Sequence, residues 1–159
     1  LVTGELIVRH ALCVIGLILA GAVAAGAQQR PDLTAPSDVA AAPADAARSA
    51  TGLASKLITP GTGADKPSIE DYVIVHYTGW TADGRMFDSS YTRGTPSMFP
   101  LNRALLGWRE CVQLMTVGEK RRCWVPQELA YRGAAGRPAG PVVFDIDLIR
   151  IESAITTRY

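Results

Sequence analysis

The run Tyr72-Val73-Ile74-Val75-His76-Tyr77-Thr78 constrains the fold more than any other part of the chain. β-Branched and aromatic residues dominate it, and such side chains suit a pleated, half-buried surface better than a helix, where their rotamer freedom is lost. Asp83-Gly84 follows, a dipeptide suited to a tight hairpin turn, and then Met86-Phe87-Asp88. A central strand with a partner folded back beside it is the expected result. Leu53 to Thr59, Arg121 to Val125 and Val142 to Ile151 carry further strand patterns. The last of these puts Phe144, Ile146 and Leu148 on one side and Asp145 and Asp147 on the other. Pro60-Gly61-Thr62-Gly63 reads as a turn and Pro126 to Ala130 as a short helical turn. Only one α-helix is expected, capped by Asn102, with Trp108, Cys111, Val112 and Met115 at i, i+3, i+4 and i+7. One short helix against many strands, with no internal repeat, predicts an α+β fold.

The folded region is expected over 53–152, with a short tail at 153–159. Before it stand two segments of different composition. Arg9 and His10 precede an apolar run from Ala11 that closes on Ala25-Gly26-Ala27, so 1–27 reads as a signal peptide cut after Ala27. That predicts export, into a bacterial periplasm, with an uncleaved membrane anchor as the alternative. Cys13 stands near the start of the apolar run, not just after it, and is not read as a lipid attachment site. Leu1 in place of an initiator Met leaves open a different start or a fragment. Residues 28–52 are mostly Ala, Pro, Asp and Ser, with Pro31, Pro36 and Pro43 interrupting any helix, and are expected to form a disordered linker. Losing 1–27 removes one acid, Glu5, and one base, Arg9, and leaves the net charge at +1. With no long basic run and few aromatics, no nucleic-acid partner is expected.

Within 53–152 several segments occur in a telling order: Val75-His76-Tyr77-Thr78-Gly79, Asp83-Gly84-Arg85-Met86-Phe87-Asp88-Ser89-Ser90, Gly107-Trp108, Gln113-Leu114-Met115 with Val117-Gly118, Leu129-Ala130-Tyr131, and Val143-Phe144-Asp145-Ile146-Asp147-Leu148. Together they resemble the FK506-binding proteins, which are peptidyl-prolyl cis-trans isomerases. The resemblance implies an antiparallel sheet curled around one short helix, with a shallow apolar pocket between them. It also implies proline-containing polypeptides as substrates, FK506- or rapamycin-type macrolides as ligands to test, and no cofactor. Carried over position by position, Tyr77, Phe87, Trp108 and Phe144 correspond to aromatic pocket walls, with Trp108 as the floor. Phe99 keeps an apolar wall position, and the backbone of Leu105 corresponds to a ligand contact. Asp88 matches the pocket carboxylate, Tyr131 the hydroxyl that meets the substrate carbonyl, and Arg93 the base that steadies both.

Taken singly, these residues have plainer readings: a strand aromatic is ordinarily core, and Asp88 could be a turn residue. His76 points opposite Tyr77 and is left out of the site. The chain also departs from the family pattern. Ser97 stands where a further pocket aromatic is common, Phe99 to Gly107 is short, and Arg132 to Pro141 is short and lacks large apolar residues. A binding or chaperone module with weak or no turnover is therefore the alternative function. A hydrolase using Cys111 or Ser89 has no recognisable base. Export would permit a Cys111–Cys123 bridge, while two small buried residues are the plain alternative. Neither cysteine has metal-ligand spacing, and no metal is expected. Lys120-Arg121-Arg122 reads as a solvated strand end.

Overall fold

The computed structural model describes residues 32–154. The expected signal peptide and positions 155–159 of the expected tail lie outside the described residues. Among the described residues there are seven strands: β1 (Ala47–Arg48), β2 (Ala54–Thr59), β3 (Tyr72–Thr81), β4 (Met86–Ser89), β5 (Ser97–Pro100), β6 (Lys120–Val125) and β7 (Val142–Glu152). The helix α1 spans Leu106–Gln113, and short 3-10 turns cover Leu101–Arg103 and Gln127–Leu129. The strands form one antiparallel sheet in the order β1-β2-β6-β7-β3-β4. β5 shares the β4 edge of β3, pairing Tyr72 to Val75 where β4 pairs Thr78 to Trp80. Among the described residues no helix is long and apolar enough to cross a membrane.

The period-2 alternation sets the two faces of the sheet. Val73, Val75 and Tyr77 of β3, Cys123 and Val125 of β6, and Phe144, Ile146 and Leu148 of β7 point to the concave side. There they meet Trp108, Cys111 and Val112 of α1, and Met115 just after it. Cys111 and Cys123, both fully buried, are joined by a disulfide with Cα atoms 6.4 Å apart, so the helix is bonded to the strand it lies on. The bridge closes a loop of 12 positions along the chain, which removes enough unfolded-state entropy to stabilise the fold by about 3 kcal/mol.

Asn102 does not cap the helix. It sits in the 3-10 turn ahead of α1, too far upstream to reach the first-turn amides, and its side chain donates to Glu70 at 3.2 Å; Leu105 occupies the cap position without a side-chain bond. β5 was not anticipated, because Pro100 and the small Ser97 dilute its strand character.

A second difference concerns the expected disordered linker at 28–52. Residues 32–46 instead form a strap over the convex face of the sheet, leading into β1 and the turn that follows it. Trp80 and Trp124 project to that side, and their indole N–H groups donate to the carbonyls of Leu33 (3.3 Å) and Asp38 (2.8 Å). Val39, Ala42 and Ala46 pack with Trp124, Val143 and Ala54 in a small second core. The Asp38 carboxylate takes a 2.7 Å ion pair from Arg122, which also forks onto Asp145 at 2.6 and 2.9 Å. Composition misjudged the segment because its apolar partners lie on distant strands, not within it.

The basic cluster is likewise no solvated strand end. Arg122 is only 16% exposed, and Arg121 pairs with the buried Glu119 at 2.6 Å. Burial disfavours the Arg122 charge, but the carboxylates of Asp145 and Asp38 outweigh it and raise its pKa. Removing residues 32–46 uncovers two indoles and strips one partner from a largely buried guanidinium. We expect the truncated chain to melt lower by about 10 °C or more, with red-shifted tryptophan emission from Trp80 and Trp124. Thermal melts and fluorescence spectra check both.

Candidate active site

Trp108 lies in the first turn of α1, where the apolar face of the helix turns toward the sheet, and is 5% exposed. Phe99 from β5 meets it edge-on at 5.2 Å and meets Tyr77 edge-on at 5.6 Å. Phe87 from β4 stands edge-on to Phe144 (5.7 Å) and to Tyr131 (6.0 Å). Edge-to-face contacts of this kind add about 0.5–1.5 kcal/mol each to the burial of the rings, so the walls hold one another upright. Between them opens a cleft of about 280 Å³ whose lining includes Trp108, Phe144, Tyr77, Leu105 and Tyr131. Gly79 makes room for it. A Cβ there would stand 2.7 Å from Phe87 and 2.8 Å from Phe144, closer than two carbons can approach.

Among the described residues Asp88 is the one carboxylate lining the cleft, and both its oxygens are engaged. Tyr77 donates its hydroxyl to Oδ2 at 2.5 Å, and Arg93 donates Nη1 to Oδ1 at 2.5 Å. The same guanidinium donates Nη2 to the Tyr77 hydroxyl at 2.9 Å and to Ser97 at 3.2 Å. Ser97, standing where the family pattern has an aromatic, thus serves as a further anchor for Arg93. Partial burial opposes ionisation of Asp88, yet the hydrogen bonds from Tyr77 and Arg93 outweigh it and hold the carboxyl below its ordinary value. Tyr77 moves the other way. Burial, with the Asp88 carboxylate beside it, pushes its pKa up to about 12.

Tyr131 differs from Tyr77 beside it and from Tyr91 on the far face of the sheet. Tyr77 and Tyr91 commit their hydroxyls to Asp88 and Asp147, whereas no side-chain hydrogen bond among the described residues uses the Tyr131 hydroxyl. Burial also raises the Tyr131 pKa, so this group remains a neutral donor facing the cleft. Arg137 lies over its ring at 5.6 Å. Among the described residues no cluster of His, Cys, Asp and Glu is arranged to hold a metal ion.

Residues 63–149 match the family described as FKBP-type peptidyl-prolyl cis-trans isomerase. The chain belongs to this family. It is 50% identical over 105 residues to the FKBP-type peptidyl-prolyl cis-trans isomerase FkpA of Aeromonas hydrophila, a match covering 64% of this chain and 39% of the relative. It is 42% identical over 116 residues to the macrophage infectivity potentiator of Trypanosoma cruzi, covering 70% and 59%. The crystal structure of FkpA from Escherichia coli superposes with a TM-score of 0.66 at 36% identity, over 70% of this chain and 54% of that one. The chain thus spans between about two fifths and three fifths of the length of these relatives.

The FKBP-type fold brings all nine residues named from the sequence to one place. Tyr77, Asp88, Phe99, Leu105, Trp108, Tyr131 and Phe144 line the cleft, Phe87 supports two of them, and Arg93 braces Asp88 from outside. Ala104, where the family pattern has a larger aliphatic, lines it too, as do Arg103 and Arg137, which were not foreseen. Neither were the hydroxyls behind Tyr77. Buried Ser90 accepts the Tyr77 N–H at 2.9 Å and exchanges a hydrogen bond with His76 Nδ1 at 2.9 Å, while buried Ser89 bonds Thr78. The Ser89-Ser90 pair after Asp88 was the available clue. His76 faces away from the cleft, stacked on Tyr91 at 4.3 Å.

Two predictions come from this geometry. Gly79→Ala should wedge Phe87 and Phe144 apart and lose ligand binding in the cleft while the domain still folds, as a heteronuclear spectrum with added proline peptide can show. Because the Asp88 pKa is depressed by folding, its stabilising contribution is present above the ordinary value of 3.8 and is lost as pH falls through the folded-state value. The stability gap between wild type and Asp88→Asn should therefore be flat above about pH 5 and shrink below about pH 4, as melts across that range can test.

Proposed function

We propose that this domain catalyses cis/trans isomerisation of peptide bonds preceding proline in exported polypeptides. The observation that carries the reading is the aromatic cleft floored by Trp108, with an uncommitted Tyr131 hydroxyl on its rim. Twisting the X-Pro bond must overcome amide resonance, a barrier of about 18–20 kcal/mol, without making or cutting any bond. No nucleophile or proton acceptor is required. The planar amide is strongly polar and holds water on its carbonyl, whereas the twisted amide is less polar. A dry aromatic cleft favours the second over the first. At 1.36 kcal/mol per decade, a thousandfold to millionfold acceleration needs only about 4–8 kcal/mol of such preference.

Each group then has a part. The proline ring rests on Trp108 against Tyr77, Phe99 and Phe144, and Phe87 keeps Phe144 and Tyr131 in place. Tyr131 donates to a substrate carbonyl, and the Leu105 backbone offers a further contact. Asp88, ionised and already hydrogen-bonded through both oxygens, is suited to a fixed electrostatic role and not to proton transfer. Arg93 and Tyr77 keep it so. The apolar run and small-x-small close of 1–27 support export to a periplasm. FK506- or rapamycin-type macrolides would occupy the same cleft, gripped less firmly because Arg132 to Pro141 offers no large apolar side chain to cover them. That bare rim also favours, as a second reading, a binding or chaperone module with little turnover.

Following cis-to-trans conversion of a short X-Pro peptide with the purified chain separates the two. Acceleration well beyond the uncatalysed rate is expected, and its absence alongside measurable peptide binding would leave the binding module. Tyr131→Phe should lower kcat/KM by about twofold to tenfold, the worth of one neutral hydrogen bond. Asp88→Ala should weaken macrolide binding, with both variants keeping a wild-type circular dichroism spectrum.

A further inference from the structure

The aromatic cleft does not end at Tyr131. It adjoins a wider groove of about 550 Å³ formed by β4 and the loop after Tyr131, and the two share Asp88, Tyr131 and Arg137 in their lining. Extended chain advances about 3.3–3.6 Å per residue, so a polypeptide with its proline on Trp108 lays neighbouring residues in this groove. Its chemistry is lopsided. Arg85 and Arg137 line the wide groove and Arg103 and Arg137 the aromatic cleft, while Asp88 is the only carboxylate among the described residues that lines either. The Asp88 charge is already matched by Arg93.

This concentration does not follow from the composition, because the whole chain carries a net charge of only +1. Elsewhere Lys56, Lys120, Arg121, Arg122 and Arg150 sit in ion pairs, while Arg48, Lys66, Arg109 and Arg132 enter none among the described residues but line neither the cleft nor the wide groove. Arg85, Arg103 and Arg137 are exposed and enter no ion pair among the described residues. Asp83 lies near Arg85 and offsets part of its charge, but it forms no ion pair with it, its carboxylate being hydrogen-bonded in the hairpin turn by Thr81 and the Arg85 backbone N–H. The groove is thus a positively charged trough whose own acid is neutralised.

From this we infer that the domain selects substrates by charge, taking X-Pro segments with Asp or Glu close to the proline in preference to neutral or basic ones. Arg85, Arg103 and Arg137 are the specificity-determining residues. The inference rests on the isomerase reading for its readout, but the charge preference is equally a property of binding. Partly exposed pairs of this kind contribute modestly each and act largely on encounter, so two or three together amount to about threefold to tenfold in kcat/KM at low salt.

The test uses three peptides with one X-Pro core, flanked on both sides by Glu, Ala or Lys, and exchange spectroscopy with the full chain. The expected order of kcat/KM is Glu over Ala over Lys. The spread should narrow on raising the salt from about 0.01 to 1 M, which shortens the screening length from about 30 to 3 Å. In the triple variant Arg85→Gln/Arg103→Gln/Arg137→Gln the Glu-to-Lys ratio should fall toward one. Equal rates for the three peptides, a preference for Lys, or a ratio that survives in the triple variant would overturn the inference. If none of the peptides is turned over, the isomerase reading fails. Calorimetric affinities of the same three peptides then decide the charge preference, with the same order expected and equal affinities refuting it.

Discussion

The register between β3 and β7 is the constraint on which the cleft depends. Their ladder runs from Tyr72 opposite Glu152 to Thr81 opposite Val142, with one irregularity between Ile74 and Val75. It places Gly79 opposite Phe144, and Gly79 in turn lies opposite Asp88 on β4. Because side chains alternate, a slip of one residue would carry Tyr77 to the convex face and bring His76 to the cleft. This pairing therefore sets Tyr77 and Phe144 on the cleft side, the neighbouring β3–β4 pairing adds Asp88, and the hydroxyls of Ser89 and Ser90 pin the β4 edge from behind.

The two faces of the sheet solve the burial of charge in the same way. On the concave side Asp88 is held by Arg93 and Tyr77, and on the convex side Asp145 is held by the fork of Arg122, with Asp38 completing the set. In each case both carboxylate oxygens are engaged, on the convex side by the two-pronged fork of Arg122 and on the concave side by one hydrogen bond from Arg93 and one from Tyr77, an arrangement that offsets partial desolvation. The difference lies in access. The convex network is sealed under the strap, while the concave one borders open cleft.

How much of this could be read from the sequence follows from how local each cause is. The central strand, the Asp83-Gly84 hairpin and the apolar face of α1 depend on residues within one window, and each was legible. The nine candidate residues were picked out through an ordered set of motifs, and the fold gathers them around one cleft; composition and periodicity alone would have left Trp108 and Phe144 as core. The strap was not legible, because Ala- and Pro-rich chain becomes ordered here only through Trp80 and Trp124 on distant strands. Arg137 escaped for a related reason: the loop that bears it was judged by the large apolar side chains it lacks, not by the charge it carries.

The strap also orders the assembly of the molecule in time. Its hydrogen bonds and ion pair span 47, 84 and 86 positions along the chain, so the first segment of the described domain to be synthesised waits for strands made much later. Local hairpin and helix can form while it is still loose, and long-range closures of this sort come late and slowly. Docking of residues 33–46 is then a final latch. Until it closes, the nascent domain shows two bare indoles on the side opposite its cleft.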